Sequence, residues 1–252
     1  MKKLSLMVVL VILGTVTVFA QAPQNGLYFA QAPRYTGGWR DQVVLQIQGG
    51  KITAVNWNSI GIGAGLPDRK AAARAGKDTS GWAAQAQKAE EFLISSQNSN
   101  AASVAGVTIP VEPFFTLVKA ALAAGPVPKG IYSKDGWYYG EAPAADSFQT
   151  KNTAIITVVN GTIKDVLWNG ILLMQGVDPS KIITSSAGKY PMKAPQGAWQ
   201  VQATKAADAL VKAQDPAKIA VKANGTTDAI TGVTIQVKDF LNAANMALQG
   251  AK

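Results

Sequence analysis

Short β-branched and aromatic runs come in close pairs at two places along the chain. Val43 to Ile47 and Ile52 to Trp57 flank Gly49-Gly50, and Ile155 to Val159 and Ile163 to Trp168 flank Asn160-Gly161. Side chains branched at Cβ pack well on a pleated surface, and Gly-Gly or Asn-Gly accepts the positive φ angles of a tight turn. Each pair of runs therefore predicts a β-hairpin. Downstream the period changes. Trp82, Ala86, Ala89 and Leu93 recur at helical spacing, as do Trp199, Ala203, Ala206 and Leu210, which puts each set on one face of a helix. A last helix is predicted in each half from Phe114, Leu117, Val118, Ala121 and Leu122, and from Val237, Phe240, Leu241, Ala244 and Leu248. The expected class is α+β.

The pattern occurs twice because the chain repeats itself. Gly26-Leu27-Tyr28 is matched to Gly130-Ile131-Tyr132, and Gly50-Lys51-Ile52 to Gly161-Thr162-Ile163. Trp82, Ala86, Lys88, Ala89 and Leu93 recur as Trp199, Ala203, Lys205, Ala206 and Leu210, and Gly106-Val107-Thr108-Ile109 as Gly232-Val233-Thr234-Ile235. The offset grows from 104 (Gly26 to Gly130) to 111 (Gly50 to Gly161), 117 (Trp82 to Trp199) and 126 (Gly106 to Gly232). Insertions between elements, where loops tolerate them, account for the drift. Two tandem related units are expected, residues 21–126 and 127–252, each an antiparallel sheet with a β-hairpin and packed helices. The junction falls near Gly125-Pro126-Val127-Pro128. Trp57, Trp82, Trp168 and Trp199 stand at equivalent positions, which favours core anchors. Trp39, Tyr138, Tyr139 and Tyr190 are peculiar to one copy and freer to serve a ligand.

Composition then narrows the chemistry. At 48% hydrophobic and 15% charged residues the chain builds a core. It contains no Cys and no His. Disulfides, thiolate nucleophiles, Cys-ligated zinc and iron–sulfur clusters are excluded, and so is His-based acid–base catalysis. Carboxylates, lysines and hydroxyls remain, together with whatever an organic cofactor supplies.

Lys2 and Lys3 precede an apolar run from Leu4 to about Val18, and Val18-Phe19-Ala20 offers small residues at both positions a signal peptidase reads. Residues 1–20 are expected to be a signal peptide, which puts the mature chain in the periplasm or outside the cell. Its removal takes away two lysines, leaving 22 basic against 15 acidic residues, a net +7. That surplus suits an anionic partner such as a membrane surface. The basic residues form no stripe interleaved with aromatics, so nucleic acid is not an expected partner.

The segment with the most chemical character is Asp228-Ala229-Ile230-Thr231-Gly232-Val233-Thr234, ahead of the last helix. At a helix start the Thr234 hydroxyl would sit beside unpaired backbone N–H groups and the positive end of the helix dipole, a setting that favours an anion. Gly232 would let a bulky group approach the backbone, and Thr231 would add a hydroxyl hydrogen bond. The plainer alternative is a capping role for Thr231 or Thr234. Asp228 would repel a phosphodiester, which points it toward turn formation or recognition by a modifying enzyme.

At these residues the sequence resembles the FMN-binding domain family, which includes subunits of membrane-bound electron-transfer complexes and exported flavoproteins. Its attachment pattern, Asp-x-x-Ser/Thr-Gly-Ala-Thr, is matched by Asp228, Thr231, Gly232 and Thr234, with Val233 in place of Ala. The Gly50–Val55 strand is similar to the family's hairpin. The resemblance implies FMN joined by a phosphodiester to Thr234, transferred from FAD by an exported flavin transferase. The first copy keeps Gly106 and Thr108 but has Ala102 and Ala105 where the acid and hydroxyl belong, so only those two residues carry the resemblance to Thr108. The implied function is an extracytoplasmic electron carrier with redox partners of its own, rather than a stand-alone enzyme. The alternative is a redox-silent binding or scaffold module that keeps the fold without flavin.

Overall fold

The computed structural model describes residues 23–63, 65 and 68–252; the expected signal peptide lies outside the described residues. The first half contains β1 (Gly26–Gln31), β2 (Trp39–Gln48) and β3 (Lys51–Gly61), then α1 (Arg69–Arg74), α2 (Trp82–Ser96) and α3 (Glu112–Ala124). The second half repeats this order with β4 (Gly136–Glu141), β5 (Thr150–Val159), β6 (Thr162–Leu172), α4 (Lys181–Ser186), α5 (Trp199–Ala213) and α6 (Lys238–Leu248). Each sheet is antiparallel, in the orders β1-β2-β3 and β4-β5-β6. Both predicted hairpins form. Gln48 pairs with Lys51 and Val159 with Thr162, and all four turn residues take positive φ, between 51° and 74°.

Period-two alternation sends Val43, Leu45, Ile47 and Trp57 to the helical side of the first sheet, where they meet Trp82, Leu93 and Phe114. The second sheet does the same with Ile156, Val158 and Trp168 against Trp199, Leu210 and Phe240. An aromatic triad anchors each half. Trp57 stacks on Phe114 at 4.9 Å and meets Trp82 edge-on at 5.1 Å; Trp168 stacks on Phe240 at 4.5 Å and meets Trp199 edge-on at 5.3 Å.

The opposite faces of the two sheets pack on each other, so the layers run helices, sheet, sheet, helices. Ile60, Ile155 and Leu167 form one apolar patch of this contact, and Phe29, Val127 and Val159 another. Between them lies a buried polar network. Arg40 forms an ion pair with Asp165, whose carboxylate also accepts Gln42 Nε2 at 2.8 Å. Gln42 Oε1 accepts Trp137 Nε1 at 2.6 Å and Thr157 Oγ1 at 2.9 Å. Burial pushes the Asp165 carboxyl above the usual carboxylate range, against the opposing pull of Arg40.

Three sequence expectations change. β1 and β4 complete the sheets, and their register equates Gly26-Leu27-Tyr28 with Gly136-Trp137-Tyr138: Tyr28 pairs with Leu45 and Tyr138 with Ile156. Gly130-Ile131-Tyr132 is instead part of the connection, where Gly130 N–H donates to Asn160 O at 2.8 Å. Helices α1 and α4, only six residues each, have no counterpart in the periodicity. The last helix begins at Lys238, with Val237 as its N-cap. Thr234 therefore does not stand at the helix start, and the dipole argument for it falls.

Asp165→Ala, which strands the Arg40 guanidinium between the sheets, is expected to cost about 3–5 kcal/mol in urea denaturation, with most of the loss recovered by Arg40→Met with Asp165→Leu. Gly140 lets β4 lie against α6; a Cβ there would sit 2.2 Å from Ala243 O. Gly140→Ala is expected to cost roughly 1–3 kcal/mol in the same assay.

Candidate functional site

Residues 228–234 form a succession of turns rather than a helix cap. Thr234 N–H donates to Gln202 Oε1 at 2.7 Å, and its hydroxyl donates to the same oxygen at 3.2 Å. Gln202 is fully buried on α5, and its Nε2 donates to Gly197 O at 3.1 Å, so its acceptor end is held toward the turn. The first half repeats the device. Gln85 Oε1 accepts Thr108 N–H at 2.6 Å, Thr108 Oγ1 at 2.9 Å and Ile109 N–H at 3.1 Å. Gln85 and Gln202 each follow their helix-opening tryptophan by three residues. That matched spacing was available in the sequence as a signal.

The neighbours of Thr234 divide by direction. Gly232 has φ +74°, which lets the chain turn where an L side chain would be strained, and the Lys205 ammonium approaches it from α5. Gly106 has φ +73°, and its carbonyl accepts Lys88 Nζ at 3.3 Å. Val233 is buried in the core beneath the turn, whereas Thr234 beside it is exposed. Thr231 is exposed. Asp228 is also exposed, and Lys222 pairs with it at 2.6 Å, which answers part of its charge.

Thr234 lines a cavity of about 620 Å³, inside the roughly 300–1,000 Å³ range of small-molecule sites. Trp168, Trp199, Tyr190, Phe148, Met174 and Met192 supply its apolar lining. Of the residues singled out in the sequence for the attachment motif, Thr234 alone reaches it; Asp228, Thr231, Gly232 and Val233 do not, and Gly106 and Thr108 lie in the other half. Trp168 and Trp199 are the core anchors expected, 2% and 3% exposed, and they also form wall. Of the aromatics set apart in the sequence, Tyr190 lines the cavity, while Tyr138 is not peculiar to one copy, since the strand register makes it the counterpart of Tyr28. Tyr139 packs in the contact between the sheets, and the Tyr138 hydroxyl donates to Lys134 O.

The residue that sequence reading missed is Lys181, the first of α4. It is 2% exposed, lines the cavity, and donates to Thr150 Oγ1 at 3.2 Å. Its ammonium lies 4.7 Å from the Tyr190 ring centroid and 4.8 Å from that of Trp199. No carboxylate among the described residues is within ion-pair distance. Burial lowers its pKa to about 8, against a weaker raising effect of Asp146. Ser180 places it by capping α4, with its Oγ accepting Ile183 N–H at 3.4 Å, and Asn169 Oδ1 takes Ile182 N–H at 3.0 Å.

The first half fills the equivalent place differently. Arg69 opens α1 and lies over Trp82 at 4.6 Å, as Lys181 lies over Trp199, but Arg69 also pairs with Asp78 at 2.7 Å. Trp39 occupies the strand position equivalent to Thr150, since each opens its strand opposite the end of the next, Trp39 facing Gly61 and Thr150 facing Leu172. The Trp39 ring lies 5.1 Å from the Arg69 guanidinium. A bulky ring and a neutralised cation stand where the second half has a small hydroxyl and an uncompensated one.

Among the described residues no cluster of three His, Cys, Asp or Glu could hold a metal ion, and no helix is long and apolar enough to cross a membrane. No family model matches the chain, and no curated protein matches it. Two solved structures are similar to parts of it. The solution NMR structure of a Clostridium thermocellum protein is 42% identical over 48% of this chain and 93% of its own, with a TM-score of 0.38. The crystal structure of a Clostridium perfringens protein is 18% identical over 41% of this chain and 88% of its own, with a TM-score of 0.33.

Proposed function

We propose that the protein is an exported electron carrier holding FMN esterified to Thr234, with the flavin ring in the cavity of the second half. The observation that carries this reading is the position of Thr234, an exposed residue that lines an aromatic-walled cavity. The residues present suit such a group. Trp168, Trp199 and Tyr190 offer ring faces and edges to a planar heterocycle, while Lys181 and Asn152 offer polar contacts on the wall. FMN, when bound, supplies the acceptance and release of electrons that this Cys- and His-free chain lacks.

The chain's own part in attachment is to present one hydroxyl. Gln202 holds the turn through the Thr234 N–H, a bond that survives when the hydroxyl is esterified. Thr234 Oγ forms the new bond to phosphorus as the phosphoanhydride of FAD breaks and AMP leaves, with the hydroxyl proton passing to the transferase or to water. Val233, in place of the family's Ala, is buried in the core beneath this turn. A covalent link outside the cytoplasmic membrane keeps the cofactor at high effective concentration against dilution. Thr108 has the same glutamine latch but does not line this cavity, so the second copy is the flavin site.

Expression in a host that has the flavin transferase, followed by intact-mass measurement and absorbance after denaturation, tests this. One FMN per chain is expected, lost in Thr234→Ala and kept in Thr108→Ala and Thr234→Ser. A wild-type chain of unmodified mass from such a host would refute the proposal.

A further inference from the structure

We infer that Lys181 is the recognition group of the cavity: its ammonium holds the carbonyl-bearing edge of a planar heteroaromatic ring, and holds that ring more tightly when the ring is negatively charged. The inference rests on the reading of the cavity as the flavin site and names the residue that governs the bound ring. An ammonium has three N–H donors. Here one is used on Thr150 Oγ1, and the neighbouring aromatic groups present π faces rather than lone pairs. Burying a cation without a carboxylate partner is costly, and a ligand that supplies the missing acceptor offsets that cost when it binds.

The charged and titratable groups around Lys181 leave it in that state. Asp146, in the loop before β5, spends its carboxylate on its own surroundings: Oδ1 accepts Phe148 N–H at 2.9 Å and Thr150 N–H at 3.0 Å, and Oδ2 accepts Asn152 Nδ2 at 3.1 Å. Tyr190 has its hydroxyl pKa raised by burial and stays neutral at physiological pH. Lys181 itself, with its pKa lowered to about 8, remains mostly cationic at pH 7. In the first half Asp78 fills the role that an external partner would have at Lys181, since it pairs with Arg69. The duplicated fold thus contains both arrangements, one satisfied internally and one open to a ligand.

The consequence for electron transfer follows from charge. When the site takes up two electrons from an external reductant and one proton from water, it gains one negative charge. Lys181 sets a positive charge against it and favours the reduced state.

The test uses the flavinylated full chain, titrated potentiometrically with dithionite and mediators at pH 7. Lys181→Met should leave one FMN attached by mass and shift the reduced-to-oxidised equilibrium roughly tenfold toward oxidised, about 30 mV lower for a two-electron couple. Lys181→Arg should stay within about threefold of the parent. A second arm needs no covalent flavin. In the Thr234→Ala background, free riboflavin, which lacks the phosphate, should bind roughly tenfold more weakly after Lys181→Met. A third arm follows unfolding without ligand. The lysine titrates near 10.4 when unfolded and near 8 when folded, so the unfolded chain binds more protons between those values and stability rises with pH across that window. Lys181→Met should therefore raise the urea midpoint at pH 7 and lose the advantage by pH 10.

An unchanged potential on fully flavinylated Lys181→Met, or unchanged riboflavin binding, overturns the inference while leaving the flavin attachment standing. A Lys181→Met chain less stable than its parent at pH 7 overturns the claim that the ammonium is uncompensated, and the inference with it. A wild-type chain that carries no flavin refutes the attachment instead, and the riboflavin arm then decides Lys181 by itself.

Discussion

Everything in this fold depends on covering two faces of each three-stranded sheet. Helices cover one face in each half, through the Trp57 and Trp168 triads. The other face packs on the opposing sheet, with Val127 of the connection and Ile182 of α4 adding to the contact. Apolar patches close most of that contact, but the Arg40–Asp165 pair and Gln42 lie inside it. Buried polar groups of this kind stabilise little when intact and cost a great deal when half removed. They tie the two halves to one relative placement, because Gln42 uses its amide on Asp165 and its carbonyl on Trp137 and Thr157 of the partner sheet.

The cavity lies within the second half. Its walls come from β6 (Trp168), the α4 start (Lys181), the connection to α5 (Tyr190) and the α5 start (Trp199), all held by the same core. The duplicated halves differ beside the cavity in a few side chains. Trp39 against Thr150, and Arg69 with Asp78 against a lone Lys181, distinguish the first half from the second. The glutamine latch on the threonine is common to both, so the latch belongs to the fold, and only Thr234 of the two borders this cavity.

Much of this was legible in the chain before folding. The hairpins followed from Gly49-Gly50 and Asn160-Gly161, and the long helices from Trp-to-Leu spacing. β4 was missed because Gly130-Ile131-Tyr132 imitates Gly26-Leu27-Tyr28 locally, whereas the true match, Gly136-Trp137-Tyr138, is told apart only further along, where Ala142-Pro143 follows it as Ala32-Pro33 follows the first. β5 gives weak alternation because helices cover one face and the other sheet covers the other, so Ala154 to Val159 are all buried. The mistaken helix start at Thr234 has a similar cause. Gly-Val-Thr before an amphipathic run reads as a cap, but Ile235 and Gln236 intervene before Val237 caps the helix.

The sequence by itself determined the duplication, the α+β class and the exclusion of Cys and His chemistry, since each depends only on residue identity and local period. It also isolated Thr234 as a candidate, through a short motif read along the chain. Tertiary structure alone decided that Thr234 borders an aromatic cavity, that Asp228 faces solvent, and that Lys181 is a buried cation without a carboxylate. Those properties arise from groups far apart in sequence, such as Thr150, Lys181, Trp199 and Thr234, which only packing brings to one place.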